Sequence, residues 1–297
     1  MTENPNFQKW SESSQEFIYR DFPIRYWDEG SGDVVLLIHG FPTASWDWHL
    51  VWNELTTRHR VVAADMIGFG FSAKPKSYSY SIFDQADLFE ALCSELGVDT
   101  VSILTHDYGN TVTQELLARQ NDRPAGGQQG LGIERICYLN GGLFPESHQP
   151  LLIQQLLIGP LGGIVARIMS KRRFEENLKS IFGPETQPSQ DSLDQFWSLI
   201  EHHDQRAITH KLARYQLERR QHRTRWVGAM ERTEIPQRFV VGMRDPIPGA
   251  NMAARYRELI KNPDIIELED IGHWPQIEAP ELVLQPFHEF LKQNGVE

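Results

Sequence analysis

The residues best suited to chemistry are Asp107, Asp245 and His273, in that order along the chain. Asp107 lies in Val101-Ser-Ile-Leu-Thr-His-Asp-Tyr-Gly-Asn-Thr-Val112, where an apolar, β-branched run passes within a few residues into a helical pattern continuing through Leu116, Leu117 and Ala118. A strand-to-helix turn this short is sharply bent and exposes the side chain at its apex. Taken alone, an aspartate there equally well caps the helix. As a nucleophile it needs no activating base, because a carboxylate is already ionised at neutral pH. Attack on an electrophilic carbon leaves an ester on the protein. A histidine then acts as general base on a water that hydrolyses the ester, and a second acid holds the imidazole's tautomer and balances its charge. His273, in Asp270-Ile-Gly-His-Trp-Pro275, and Asp245, in Met243-Arg-Asp-Pro246, suit these two tasks, although Asp245 alone would read as a turn residue.

For the three to meet they must stand at strand ends, since open α/β sheets bind ligands beyond the carboxyl ends of their strands. Residues 17–20 and 24–27 read as an opening hairpin. Residues 34–38, 61–64, 101–105, 136–139, 238–242 and 264–268 are short apolar runs of the kind a doubly covered sheet buries. Helical patterns at 45–55, 81–96, 250–260 and 280–292 alternate with them, which indicates βαβ units around a mostly parallel, eight-stranded sheet. The residues at the strand ends are then His39-Gly-Phe-Pro42, Asp65, Asp107, Asn140, Asp245 and His273.

From about 143 to 233 the strand rhythm stops, and helical stretches follow at 151–169, 174–182, 192–201 and 208–222. The expected organisation is a core of residues 1–142 and 234–297 with an all-helical cap, 143–233, lying over the sheet. Residues 1–15 read as a polar, mobile leader and 120–132 as a glycine-rich surface loop.

The chain has 297 residues and a formal charge of −11, which argues against a nucleic-acid partner because phosphate binding wants a basic surface. The glycine-rich segment after Asp65 matches neither G-x-G-x-x-G nor a P-loop, so no nucleotide cradle is expected. His202, His203 and His210 lack companions at a metal-ligand spacing, and no metal or other cofactor is implied. Cys93 and Cys137 are expected to be buried thiols rather than a disulfide framework. The N-terminus lacks the regions of a signal peptide and no apolar run is long enough to span a bilayer, so a cytoplasmic protein acting on a small molecule and water is expected.

The order nucleophile, acid, histidine, with His39-Gly-Phe-Pro42 upstream and His106-Asp-Tyr-Gly109 at the turn, resembles the aspartate-nucleophile branch of the α/β-hydrolase superfamily, which includes epoxide hydrolases and haloalkane dehalogenases. The likeness runs from about residue 17 to 290. In His106-Asp-Tyr-Gly109, Asn140-Gly-Gly-Leu-Phe-Pro-Glu146, Arg225-Trp-Val-Gly-Ala229 and His273-Trp-Pro-Gln276 it is similar in particular to the mesoderm-specific transcript proteins. The resemblance implies Asp107 as nucleophile, His273 as base, Asp245 as its partner, and an oxyanion hole from the backbone N–H groups of Phe41 and Tyr108. It also implies substrate contacts from His39 and Trp274 in the flanking motifs.

The chain departs from the branch in three places. Thr105 and Asn110 replace the usual glycines, which predicts a slightly opened turn. Tyr108 stands where dehalogenases place a halide-binding tryptophan, leaving Trp197 or Trp226 of the cap as the indole donors. Epoxide hydrolases use two cap tyrosines to protonate the opening ring, whereas here Tyr215 is the cap tyrosine, with Tyr108 or His148 as substitute donors. The arginine-rich run around Tyr215 reads as a solvated face. The function expected is hydrolysis of a small apolar electrophile, epoxide hydrolase-like, with haloalkane dehalogenase as the alternative. A non-catalytic protein holding a hydrophobic ligand in the same cavity is the alternative of another class.

Overall fold

The computed structural model describes residues 4–123 and 130–295. Eight strands form one sheet: β1 (Gln15–Tyr19), β2 (Phe22–Glu29), β3 (Val34–Ile38), β4 (Arg60–Ala64), β5 (Thr100–Thr105), β6 (Gly132–Tyr138), β7 (Gln237–Gly242) and β8 (Asp264–Leu268), in the spatial order β1-β2-β4-β3-β5-β6-β7-β8. β1 and β2 pair antiparallel, as do β2 and β4, and from β4 across to β8 every pairing is parallel. Parallel neighbours need long crossovers, and helices supply them.

Before β6 come α1 (Phe7–Ser13), α2 (Trp52–Thr56), α3 (Ile82–Glu95) and α4 (Tyr108–Asp122). Between β6 and β7 lie α5 (Leu152–Ile158), α6 (Gly162–Ile168), α7 (Lys171–Lys179), α8 (Gln190–Glu201), α9 (Thr209–Leu212), α10 (Tyr215–Gln221) and α11 (Arg223–Arg232). After β7 come α12 (Ala250–Leu259), α13 (Pro275–Glu278) and α14 (Pro280–Gln293).

Because side chains alternate across a strand, β3 feeds two cores. Leu36 and Ile38 join Phe89, Leu116, Met230 and Tyr256 on one face, and Val35 and Leu37 join Trp48, Trp52, Leu199 and Phe287 on the other. Both faces of the sheet are therefore covered, as the uninterrupted apolar runs require.

Several expectations need correction. The leader is not loose: α1 is capped by Asn6, whose side chain accepts from Lys9 N, and its Trp10 is buried with its ring centroid 4.7 Å from Trp27 and 4.9 Å from Trp52. The helix expected at 45–55 is a 3-10 turn, Ser45–Trp48, followed by the short α2. The stretch 151–169 is two helices broken at Gly159 and Pro160, as a proline and a glycine together dictate. In the stretch 120–132, α4 runs on to Asp122 and β6 begins at Gly132, while residues 124–129 lie outside the described residues. Cys93 and Cys137 are buried free thiols.

Candidate active site

The turn after β5 is tight. Asp107 has φ 48 and ψ −109, a conformation that costs an L-residue of order 1–3 kcal/mol and persists only when its surroundings enforce it. The enforcement comes from close backbone approach. A Cβ added at Gly109 would stand 2.3 Å from the Ile38 carbonyl oxygen, and one at Gly141 would stand 2.6 Å from the Asp107 Cα. The turn is not opened by its departures from glycine. Thr105 completes the β3–β5 pairing opposite Ile38, and the buried Asn110 donates from Nδ2 to the Leu139 carbonyl at 2.8 Å.

Three strand ends bring the chemistry together. Asp107 Oδ1 accepts from Phe41 N at 3.0 Å, and the Tyr108 N–H also faces the carboxylate. Asp107 Oδ2 lies 3.6 Å from His273 Nε2, too far for a direct hydrogen bond. On the other side of the ring, His273 Nδ1 donates to Asp245 Oδ2 at 2.5 Å. Asp245 is fixed in turn by Asn140 Nδ2 at 2.9 Å and Ile247 N at 2.9 Å, and Asn140 Oδ1 takes the Gly242 N–H at 2.6 Å.

The loop carrying His273 is pinned as firmly. Its N–H donates to the Ile181 carbonyl at 2.8 Å, and its carbonyl accepts from His106 Nε2 at 2.8 Å. Glu278 gathers the N–H groups of Gly272, Trp274 and Gly183 at 2.8–2.9 Å.

Burial raises the Asp107 pKa, while His273, the two N–H groups and Arg219 pull it back toward the ionised form. For His273, burial disfavours the charged ring, but Asp245 and then Asp107 outweigh it and lift its pKa to about 9. His106 is pushed well below its ordinary value by burial and by its neighbour His273, so it stays neutral. Burial drives Asp47, which lies 3.9 Å from His106, up to about 8.

A largely apolar pocket opens on Asp107 and His273. Phe41 and Trp274 line it from the sheet side, and Leu151, Leu157, Met169, Phe174, Leu178 and Ile181 line it from the helices between β6 and β7. Tyr215 on α10 is buried, its ring 4.7 Å from Tyr108 and 6.3 Å from Phe41, and the charge of Asp107 reaches it. His148 lies within electrostatic reach of Arg219 and His273. Burial and those charges pull its pKa down to about 2, and neither ring nitrogen has a hydrogen-bond partner.

Other expected contacts fall elsewhere. His39 is a packing residue: Nδ1 donates to the Gly40 carbonyl at 2.8 Å and Nε2 accepts from Met66 N at 3.1 Å, so both nitrogens serve the loop. Trp226 donates to Glu115 at 2.7 Å and packs on Phe83, because α11 lies on α4. Trp197 is one layer back, with its ring 5.5 Å from Phe174 and under Arg206. Tyr108 contributes its backbone only, since its ring packs on Phe69 and its hydroxyl faces Glu218 and Gln85. The arginine run is a solvated face only in part, with Arg214 and Arg220 exposed. Arg223 pairs with Glu146, Arg225 with Glu115 and Asp122, and Arg219 is 2% exposed. Among the described residues no cluster could hold a metal ion.

Sequence reasoning missed Asn140 as the clamp of Asp245, Glu278 as the organiser of the His273 loop, and Arg219. Asn140 was detectable as a polar strand end followed by two glycines. The other two act through tertiary placement alone.

The fold and this strand-end constellation define an α/β hydrolase, and a family model described as "Alpha/beta hydrolase family" matches residues 35–285. The chain belongs to that family and is a hydrolase. It is 40% identical to the mesoderm-specific transcript protein of Mus musculus over 97% of this chain and 88% of the mouse protein. It is 36% identical to putative hydrolase LipZ of Mycobacterium tuberculosis over 84% of this chain and 86% of that protein. A haloalkane dehalogenase from Bradyrhizobium elkanii superposes with a TM-score of 0.78 at 22% identity, covering 95% of this chain and 97% of the other, a likeness of fold. No helix among the described residues is long and apolar enough to cross a membrane.

Proposed function

We propose that the protein hydrolyses a small electrophile, in the manner of an epoxide hydrolase, through a covalent ester on Asp107. The helical segment 143–233 would act as the cap over the site. The observation that carries this reading is the placement of the Asp107 carboxylate. Oδ1 rests on the Phe41 N–H, and Oδ2 faces the pocket beside an imidazole already paired with Asp245.

In the first step Oδ2 attacks the electrophilic carbon, the C–O bond of the epoxide breaks, and the electron pair leaves on oxygen. Tyr215, buried and near enough for the charge of Asp107 to reach it, is the donor that would protonate it. In the second step the gap of 3.6 Å between Oδ2 and Nε2 is where a water would enter. His273 takes its proton and the hydroxide adds to the ester carbonyl carbon. The oxyanion forms on Oδ1 against the N–H groups of Phe41 and Tyr108, then collapses with cleavage of the Cγ–Oδ2 bond as His273 returns the proton to the leaving oxygen, releasing the diol.

Esterification also helps the base. Once Asp107 is an uncharged ester it no longer raises the His273 pKa, so the imidazole becomes easier to deprotonate when that is needed.

Against the dehalogenase alternative, the expected halide donors are engaged elsewhere, since Trp226 donates to Glu115, Trp197 packs on Phe174 and the Tyr108 hydroxyl faces Glu218 and Gln85. The test is to incubate a His273→Gln variant with a panel of epoxides, alkyl halides and esters and examine the Asp107 peptide by mass spectrometry. An alkyl adduct from an epoxide that the wild type converts to a diol is the expected result. Turnover by the wild type with no adduct on the variant would overturn the mechanism. Tight binding of apolar ligands with no turnover would favour the binding-protein alternative.

A further inference from the structure

Arg219 on α10 carries a permanent charge, is 2% exposed and has no carboxylate paired with it among the described residues. The carboxylate whose charge reaches it is that of Asp107, the Tyr215 hydroxyl is within hydrogen-bond reach, and the glutamates of this part of the chain are committed elsewhere. Glu218 accepts from Ile82 N at 3.0 Å, Glu146 pairs with Arg223 and Arg255, and Glu115 pairs with Arg119 and Arg225. Its plane lies over the Tyr215 ring, 5.9 Å from the centroid. A buried guanidinium left this way is unfavourable unless something completes it.

The unpartnered atoms say what would complete it. Nε and Nη2 have no hydrogen-bond partner, and these two N–H groups form one edge of the guanidinium. That edge presents two parallel donors, matched to the two oxygens of a carboxylate. Close by, His148 offers a neutral ring with both nitrogens also unpartnered.

The glycine pair after β6 sets Arg219 beside the nucleophile. A Cβ at Gly142 would stand 2.1 Å from the Arg219 terminal nitrogens, and one at Gly141 would stand 2.6 Å from the Asp107 Cα. One dipeptide without side chains therefore touches the nucleophile's backbone on one side and the guanidinium on the other.

We propose that Arg219, assisted by His148, binds a carboxylate of the substrate. The electrophile is then amphiphilic, with an apolar body among Leu157, Phe174 and Ile181 and an anionic end at α10. This deepens the reading of Asp107 as the reacting group, and its test uses equilibrium binding, so it can fail while the covalent mechanism stands.

The probes are hexanoate and its neutral counterpart hexanamide, titrated calorimetrically into the Asp107→Asn protein, which removes the competing carboxylate and any turnover. Hexanoate is expected to bind about tenfold or more tightly than hexanamide, the scale of a charge-assisted pair. Adding Arg219→Met should abolish that preference while leaving hexanamide affinity unchanged, which also reports that the variant is folded. Arg219→Lys keeps the charge but loses the two-donor edge and should retain only part of the preference. Equal binding of the two probes, failure of both to bind, or a preference that survives Arg219→Met would each overturn the proposal.

Discussion

The floor of the site and its roof are built on different terms. On the floor, Asp107, Asp245, His273 and Asn140 sit at the ends of parallel strands, and Asp107 Oδ1, Asp245, His273 Nδ1 and Asn140 are engaged by backbone N–H groups or by one another. Asp107 Oδ2 and His273 Nε2 are left open to the pocket, and His106 Nδ1, Asn110 Oδ1 and Trp274 Nε1 beside them have no hydrogen-bond partner among the described residues. On the roof, the half-buried His148 and the buried Gln216 and Arg219 have side-chain atoms with no partner, and Leu152, Leu156, Leu161, Ile164 and Ile168 are exposed apolar residues. A satisfied network fixes geometry, and buried polar atoms without a partner are the exception that needs an explanation. On the proposed reading, the difference teaches that the sheet would carry the reaction while the helices between β6 and β7 would choose what reacts.

That division can be broken from either side. The largest effect belongs to the floor: Asp107→Asn should lower turnover by about 10⁴-fold or more, measured as diol formed from an epoxide substrate, on the scale of losing one member of a catalytic unit. An activity surviving within tenfold would move the nucleophile elsewhere. Next comes the roof, where Tyr215→Phe should cut the rate of the alkylation step by about 10²-fold in single-turnover measurements while ester hydrolysis continues.

The pH dependence sharpens the comparison within the floor. The free His273 titrates at about 9, partly because Asp107 is charged, so the ester intermediate should titrate lower. Its hydrolysis rate should rise with pH through an inflection below 9 and then level off, because only the neutral imidazole accepts a proton. An inflection at or above 9 in the pH dependence of intermediate decay would contradict the role of Asp107 in setting that value. The smallest catalytic effect is expected at Trp226. Trp226→Phe should leave kcat and KM unchanged and lower stability by about 1–3 kcal/mol in denaturant unfolding, because Glu115 loses a buried donor. A changed KM would bring Trp226 back to the substrate.

The floor was legible in the sequence and most of the roof was not, for a physical reason. Asp107, Asp245 and His273 each follow a strand whose apolar run can be read locally, and a parallel sheet delivers all its carboxyl ends to one edge. The expected strands agree with β3 to β8 within a residue or so at most ends, β3 and β8 are reproduced, and β6 begins earlier than expected, at Gly132. Roof residues depend on how helices pack, which periodicity does not specify. Tyr215 and Arg219 lie in a polar, arginine-rich run that looks solvated residue by residue, yet α10 faces inward. Trp226 looked like a binding aromatic, but α11 turns it onto α4. The anchoring of the leader through Trp10 was hidden for a related reason, since one tryptophan in a polar segment gives no periodic signal and its partners Trp27 and Trp52 lie far along the chain.

The strands on either side of the helical excursion are neighbours, pairing from Ile136–Gln237 to Tyr138–Phe239. The chain leaves the sheet and returns to it through one doorway, so this stretch can be treated as an exchangeable cassette. A graft from another hydrolase of this fold would leave the strand order intact, provided the incoming segment also supplies the grip that Arg225 and Trp226 have on Glu115. For an engineer seeking a new substrate, the place to cut and splice is already marked.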